Sequence, residues 1–246
     1  MITKTEIDKL VEIYETKDFI KDDPIQFPHR FTNKKDIEIA GFIASLIAYG
    51  NRKVFIKKLD NLFDIAQNEP LNFILNFKSK DLKDFNYRFG TTEDFVEIFW
   101  ILKELYSKDG GLEELFKYGY ENSENFFIPV CDYFYSHFKK EGTLGTKFMI
   151  PNPRNNGAMK RMCMLLRWFV RKGPVDLGIW DFMKPSELLI PLDTHVARIS
   201  RQMGLLKRCS NDFKSVLEIT NNLKAFDAND PIKYDFALFG YGITTK

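Results

Sequence analysis

Asp193 stands in the run Pro191-Leu192-Asp193-Thr194-His195-Val196-Ala197-Arg198, between the apolar Leu188-Leu189-Ile190 and a stretch of helical character. Its side chain can cap a helix, a role worth about 1 kcal/mol, or serve as a catalytic carboxylate, or do both. Pro191 stiffens the approach and so fixes where the carboxylate points. His195 and Arg198 bring cationic donors to the same first turn, where free helix N–H groups also bind phosphates. A carboxylate beside a phosphate site suits chemistry on a nucleotide, where it stabilises positive charge developing on a sugar. Lys160, followed by Arg161, is the second candidate. An amine becomes a nucleophile when burial or cationic neighbours strip its proton; otherwise the two residues are a solvated helix start. Lys172 is a rival, but Arg171-Lys172-Gly173-Pro174 reads as an exposed helix end. The third candidate is Asp235 with Phe239, four residues apart on one helix face. A carboxylate beside a ring fits a flat heterocycle, which stacks on the ring while its N–H groups reach the carboxylate. The alternative is plain core packing for Phe239, with Asp235 in solvent.

The elements that must position these groups are helices. Period-2 runs are scarce and 3.6-residue patterns recur. Residues 36–49 read as a buried helix with Gly50 as its C-cap. Residues 52–66 form an amphipathic one, with Lys53, Lys57 and Lys58 outside and Phe55, Leu59, Leu62 and Phe63 inside. A third starts at Thr91 or Thr92 and stops at Gly110-Gly111. A fourth covers 123–138 and a fifth 157–171. Asp193 or Thr194 caps a sixth that ends near Gly204, Asn211 or Asp212 caps a seventh, and Pro231 opens the last. Residues 139–156, rich in Gly, Pro and Asn, read as a long irregular loop carrying Lys147 and Arg154 into the fifth helix.

At 246 residues, 44% hydrophobic and 15% aromatic, the composition is globular and excludes a disordered chain. No stretch reaches the roughly 18 apolar residues that a membrane span needs, and the polar N-terminus is unlike a signal peptide. Cys131, Cys163 and Cys209 fit neither a disulfide framework nor a metal-binding spacing, so a reducing cytoplasm is expected, with no metal or cofactor. The net charge of +2 is unevenly spread. Residues 139–208 hold 14 Lys and Arg against 5 Asp and Glu, a net +9, while the rest holds 22 against 29, a net −7. Such a segment is either a solvated patch or a face for a polyanion.

In this order the three pieces resemble the helix-hairpin-helix DNA glycosylase superfamily, which includes endonuclease III and the 8-oxoguanine glycosylases. Pro-x-Asp-x-His-Val-x-Arg looks like its catalytic aspartate segment, and the similarity extends over roughly residues 30–243. The resemblance implies an all-α, two-lobed fold with an interlobe cleft, one glycosylase-like unit over 1–246 with its basic catalytic segment at about 139–208, acting as a monomer on duplex DNA with a damaged base. Asp193 would be the catalytic carboxylate and Lys160 the attacking amine of a lyase. Asp235 would read an oxidised purine such as 8-oxoguanine, and Phe239 would stack on it. His195 and Arg198, with Lys147, Arg154 and Arg161, would contact DNA. Tyr49-Gly50-Asn51-Arg52 looks like the segment that fills the gap left by a flipped base, which brings in Asn51 and Arg52. The hairpin departs from the pattern. Asn156-Gly157-Ala158-Met159-Lys160-Arg161 has a single Gly, Lys160 lies 33 residues before Asp193, and in one register Arg161 takes the lysine position. The departure leaves a second expectation open: a non-catalytic nucleic-acid-binding module on the same fold.

Overall fold

Many helices here begin at a short polar residue, because its side chain accepts from first-turn amides that have no partner within the helix. The computed structural model describes residues 2–139 and 142–245, and within them the chain is all α, with isolated backbone bridges and no longer strand. Thr3 and Glu6 cap α1 (Lys4–Tyr14) reciprocally, and the short α2 (Lys17–Ile20) follows. Asn33 caps α3 (Lys34–Ile47) and Asn51 caps α4 (Arg52–Ile65). Pro70 opens α5 (Pro70–Asn76), where its missing N–H is no loss. Thr91 and Asp94 start α6 (Thr92–Lys108), which is followed by α7 (Leu112–Asn122) and α8 (Phe127–His137). Thr143 starts α9 (Leu144–Met149). Beyond it come α10 (Lys160–Val170), α11 (Thr194–Gln202) capped by Asp193, and α12 (Phe213–Lys224) capped by Asp212. A 3-10 turn over Pro231–Tyr234 leads into α13 (Asp235–Thr244).

Three expectations are corrected. The stretch 139–156 is not a continuous loop, since α9 lies inside it. The Thr146 amide donates to the Thr143 hydroxyl at 3.1 Å, and the Thr143 amide to the Thr146 hydroxyl at 2.8 Å. This reciprocal start is masked in sequence by the surrounding Gly and Pro; Lys140 and Glu141 lie outside the described residues. Gly50 does not cap α3, which ends against Ala48. It adopts φ +82°, where a Cβ would overlap the Arg88 guanidinium. The helix expected over 123–138 begins only at Phe127, because α7 runs to Asn122 and a turn separates the two.

The chain divides into two units: residues 1–23 with 155–246, and residues 24–154. In the second, α3 is buried along its whole length from Ile37 to Ile47, as an apolar helix must be. It packs against α4, α5 and α7. Aromatic pairs fill the core, among them Phe42 on Phe134, with centroids 5.4 Å apart, and Phe27 on Phe63 at 5.3 Å. In the first unit α13 packs against α11 and α1. Gly240 makes the close approach to α1 possible, since a Cβ there would run into the Tyr14 ring. The N-terminal segment is also tied down by polar contacts. The Ile2 amide donates to the Met203 carbonyl at 3.0 Å, and the Tyr234 hydroxyl to Asp8 Oδ1 at 3.1 Å.

Candidate functional site

Asp193 is held from both sides. Leu188, Ile190, Pro191 and Leu192 before it are buried, and the Ile190 amide donates to Thr220 Oγ1 at 3.1 Å. After it, the Val196 amide donates to Asp193 Oδ1 at 2.9 Å, the N-cap bond of α11. The other oxygen, Oδ2, lies 3.5 Å from Lys160 Nζ, with both side chains partly open to solvent at 16% and 33%. Lys160 is the first residue of α10. It follows Met159, which is buried and left-handed at φ +51°. The hairpin before it is anchored to the start of α12, where the Phe213 amide donates to the Asn156 carbonyl at 3.0 Å. Arg161 follows on the helix and is half-buried. The structure therefore brings Lys160 to Asp193, the pairing that the sequence spacing left open between two registers.

Asp235 is neither solvated nor open. It is the first residue of α13, 7% exposed, and accepts a hydrogen bond from the Arg167 guanidinium. Burial pushes its carboxyl up to about 6; Arg167 works against that rise, while Asp193 and Asp176 add to it. Arg167 is wholly buried. It reaches Asp176 Oδ2 at 3.3 Å and Glu15 Oε1 at 3.7 Å, and its guanidinium stands 3.8 Å over the Phe236 ring. Arg171 is buried as well, which corrects its reading as an exposed helix end. It bonds Glu15, Asp176 at 2.7 Å and Asp230 at 2.9 Å. Arg167 on α10 and Arg171, the residue that caps its C-terminal end, thus share a polyvalent ion network. Its acids come from positions as distant as 15 and 235, and no local pattern announces them.

Phe239 is half-buried, edge-on to the His195 ring at 6.0 Å and to Phe19 at 6.1 Å. His195 Nδ1 lies 3.2 Å from the Gly242 carbonyl and so carries its hydrogen on that nitrogen. Arg198 Nη2 donates to the carbonyls of Gly242 at 2.6 Å and Thr245 at 2.8 Å, satisfying the last turn of α13. Lys160, Asp193, His195, Arg198, Asp235 and Phe239 therefore all belong to the first unit, joined through α10, α11 and α13.

Asn51, Arg52, Lys147 and Arg154 belong to the other unit. Asn51 caps α4, with the Val54 amide 3.4 Å from Oδ1, and Arg52 is the first helical residue after it. Lys147 is exposed near the end of α9. Arg154 forms a two-pronged bond with Asp132 at 2.6 and 2.8 Å. The expected basic segment is thus divided between units, and two of its arginines are buried. A group that sequence reasoning missed lies nearby. Tyr49, Phe89 and Phe148 pack together, with Tyr49 4.8 Å from Phe148, and the Arg88 guanidinium sits 5.8 Å from the Tyr49 ring and 5.7 Å from that of Phe89. Phe89 is 49% exposed at the tip of a turn closed by reciprocal 2.9 Å bonds between Tyr87 and Gly90. The run Tyr87-Arg88-Phe89-Gly90, a basic residue between aromatics at a glycine turn, was the available signal.

Among the described residues no group of three His, Cys, Asp or Glu side chains is placed to hold a metal ion, and no helix is long and apolar enough to cross a membrane. The fold and site define an all-α protein with a lysine–aspartate pair at the facing ends of two helices. Residues 23–244 match the family described as "Protein of unknown function (DUF2400)", and the chain belongs to that family. No curated protein matches it, and no solved structure does.

Proposed function

We propose that the protein is a base-excision DNA glycosylase of the helix-hairpin-helix type, acting on a damaged base flipped out of duplex DNA, with an oxidised purine such as 8-oxoguanine as the first substrate to test. The observation that carries this reading is the 3.5 Å approach of Lys160 Nζ to Asp193 Oδ2 at the cap of α11. Capping and catalysis are compatible: the Val196 amide occupies Oδ1 and fixes the carboxylate, leaving Oδ2 to face the reacting sugar. There its charge stabilises the oxocarbenium-like centre formed as the base departs. Lys160, once it has given up a proton, attacks C1′. The resulting Schiff base leads to strand cleavage by β-elimination. Phe239 offers an edge of ring to the base. Asp235, held by Arg167, would read the base through the edge of its carboxylate that stays open.

Asp193→Asn keeps a good cap and removes the charge, so base release should fall by several orders of magnitude while the fold persists. Lys160→Gln should abolish borohydride trapping with lesion-containing duplex. Unchanged base release in Asp193→Asn sinks the reading; a missing trapped adduct in the wild-type protein removes only the lyase step.

A second reading is a nucleic-acid-binding module without catalysis. It is favoured by the internal use of His195 and Arg198, whose donors go to the end of α13. The exposed Phe89 beside Arg88 suits either reading, because aromatic faces with arginine stack on unpaired bases. Salt-dependent binding to abasic duplex with no turnover across a lesion panel selects the second.

A further inference from the structure

Three segments of residues 24–154 are locked together at one surface. Tyr49 and Tyr87 bind each other's backbone: the Tyr49 hydroxyl donates to the Tyr87 carbonyl at 3.0 Å, and the Tyr87 hydroxyl donates to the Tyr49 carbonyl. Gly50 has no Cβ and so leaves room for the Arg88 guanidinium. Arg88 itself is left-handed at φ +50°, a conformation that costs energy in a residue with a Cβ. The start of α9 closes on the same place. Gly145 approaches the Phe89 carbonyl so closely that a Cβ would stand 2.6 Å from its oxygen, and the Thr143 hydroxyl donates to Asp94. Polar bonds and close backbone contacts thus hold these segments without burying all of their apolar groups. Phe89 is left 49% exposed and Leu144 78% exposed, while Tyr49 and Phe148 are half-buried. The Phe89 and Tyr49 rings lie nearly parallel, with planes 11° apart. Apolar groups kept in water by a strained, cross-braced backbone belong to a binding surface.

We propose that this surface binds single-stranded DNA, with the Phe89 ring stacked on an unpaired base. Charge and shape select the occupant. Segments 49–54, 87–90 and 143–148 hold Arg52, Lys53, Arg88 and Lys147 and no Asp or Glu, in a chain whose totals are 36 basic and 34 acidic residues. Arg88 and Lys147 are exposed, and the Arg88 guanidinium, 5.7 Å from the Phe89 ring, adds a flat cation to a flat ring. Bases of any sequence stack on such faces while the cations follow the phosphates. In a duplex each base face is covered by its neighbours, and freeing one costs unstacking. A single strand offers those faces already free, to rings that are already fixed. An apolar protein partner would instead desolvate the cations without pairing them. The inference rests on the reading of the chain as a DNA-binding protein but not on Asp193 or Lys160, which belong to the other unit.

Fluorescence anisotropy on the full chain tests it. The probes are a labelled oligothymidylate of about 20 nucleotides, longer than one binding site, its duplex with oligodeoxyadenylate, and an oligouridylate of the same length. The wild type should bind the DNA single strand about tenfold tighter than the duplex. Phe89→Ala should weaken single-strand binding about tenfold and leave duplex binding unchanged. Its unfolding midpoint should stay near that of the wild type, because the ring is already half in water. Phe89→Trp should keep the affinity, and the strand should quench the added indole. Lys147→Gln should lower the slope of log affinity against log salt by about 0.7. No single-strand binding, tighter binding of the duplex, an unchanged affinity in Phe89→Ala or no quenching in Phe89→Trp overturns the proposal. Tighter binding of the oligouridylate overturns the choice of DNA. Failed base excision with the Phe89 effect intact removes only the glycosylase reading; excision without a Phe89 effect removes only this one.

Discussion

The two units bury polar groups in different ways. In residues 24–154 the interior is apolar, with many aromatic rings among its aliphatic side chains, and its buried acids accept from neutral donors: Glu38 from the Tyr106 hydroxyl at 2.9 Å, and Asp94 from the Thr91 amide at 2.8 Å. In the other unit two guanidiniums and their carboxylates occupy the interior, and Arg167 is among its largest fully buried side chains. Apolar burial is non-directional and tolerates reshaping, provided that volume is kept. A buried ion network tolerates little, because each charge left without its partner bears the full desolvation penalty. Such a network fixes positions to within a hydrogen-bond length. Here it does so at the start of α13, where Arg167 holds Asp235.

The sharpest way to break this contrast is to remove one arginine and one ring. Arg167→Met strands Asp235 and leaves Glu15 and Asp176 to Arg171 alone, and should lower unfolding free energy by about 3–5 kcal/mol. Phe42→Leu, in the aromatic core of the other unit, should lower it by about 1 kcal/mol. Denaturant titrations that gave the larger loss to Phe42→Leu would show the network to be dispensable. Next in size is a pH effect. The Asp235 carboxyl sits higher in the folded protein than the ordinary carboxylate value, at about 6. Its contribution to stability is therefore complete at low pH, below about 4, and is lost as pH rises through about 6. Relative to Asp235→Asn, the wild type should lose on the order of 2 kcal/mol between pH 4 and pH 7. A difference that is flat over that interval would place the Asp235 proton elsewhere.

Much of the scaffold was legible in the sequence because caps and amphipathic periods are local. Asp193 and Asp212 announced their helices, and the buried face of α4 followed from the spacing of Phe55, Leu59, Leu62 and Phe63. What was not legible depends on distance. Arg167 and Arg171 sit on an apolar helix, where two basic residues a turn apart look like a solvated stripe; only the arrival of Glu15, Asp176, Asp230 and Asp235 reverses that. The same blindness left Asp235 in solvent in the alternative reading, whereas it is buried against Arg167. The helix α9 was hidden for a different reason, since its start relies on two threonines among residues that normally mark a loop. The proximity of Lys160 to Asp193 could be guessed from type and order, but a separation of 33 positions gave no geometry.

Smaller effects sharpen the contrast at its glycines. Gly50→Ala must adopt φ +82° against the Arg88 guanidinium and should be destabilised by about 1–2 kcal/mol. Gly157, beside Lys160, has no atom within 4 Å of an added Cβ, so Gly157→Ala should unfold at nearly the wild-type denaturant midpoint. The single hairpin glycine would then owe nothing to space, and equal losses at both positions would contradict that.

The smallest stability effect should come from Arg154. Its bond to Asp132 is well aligned, yet both side chains are about half exposed, at 51% and 48%, and water and salt screen such pairs. Arg154→Gln should leave the unfolding midpoint within the scatter of the measurement, unlike any change at Arg167. DNA binding gives the substitution a separate readout. If Arg154 leaves Asp132 for a phosphate, the slope of log affinity against log salt should fall by about one in Arg154→Gln. An unchanged slope would mean that Asp132 keeps the guanidinium, and that the positive charge of the 139–208 segment meets DNA elsewhere. The same arginine chemistry would then serve structure in both units, buried at Arg167 and exposed at Arg154, with the cost of its removal set by access to water.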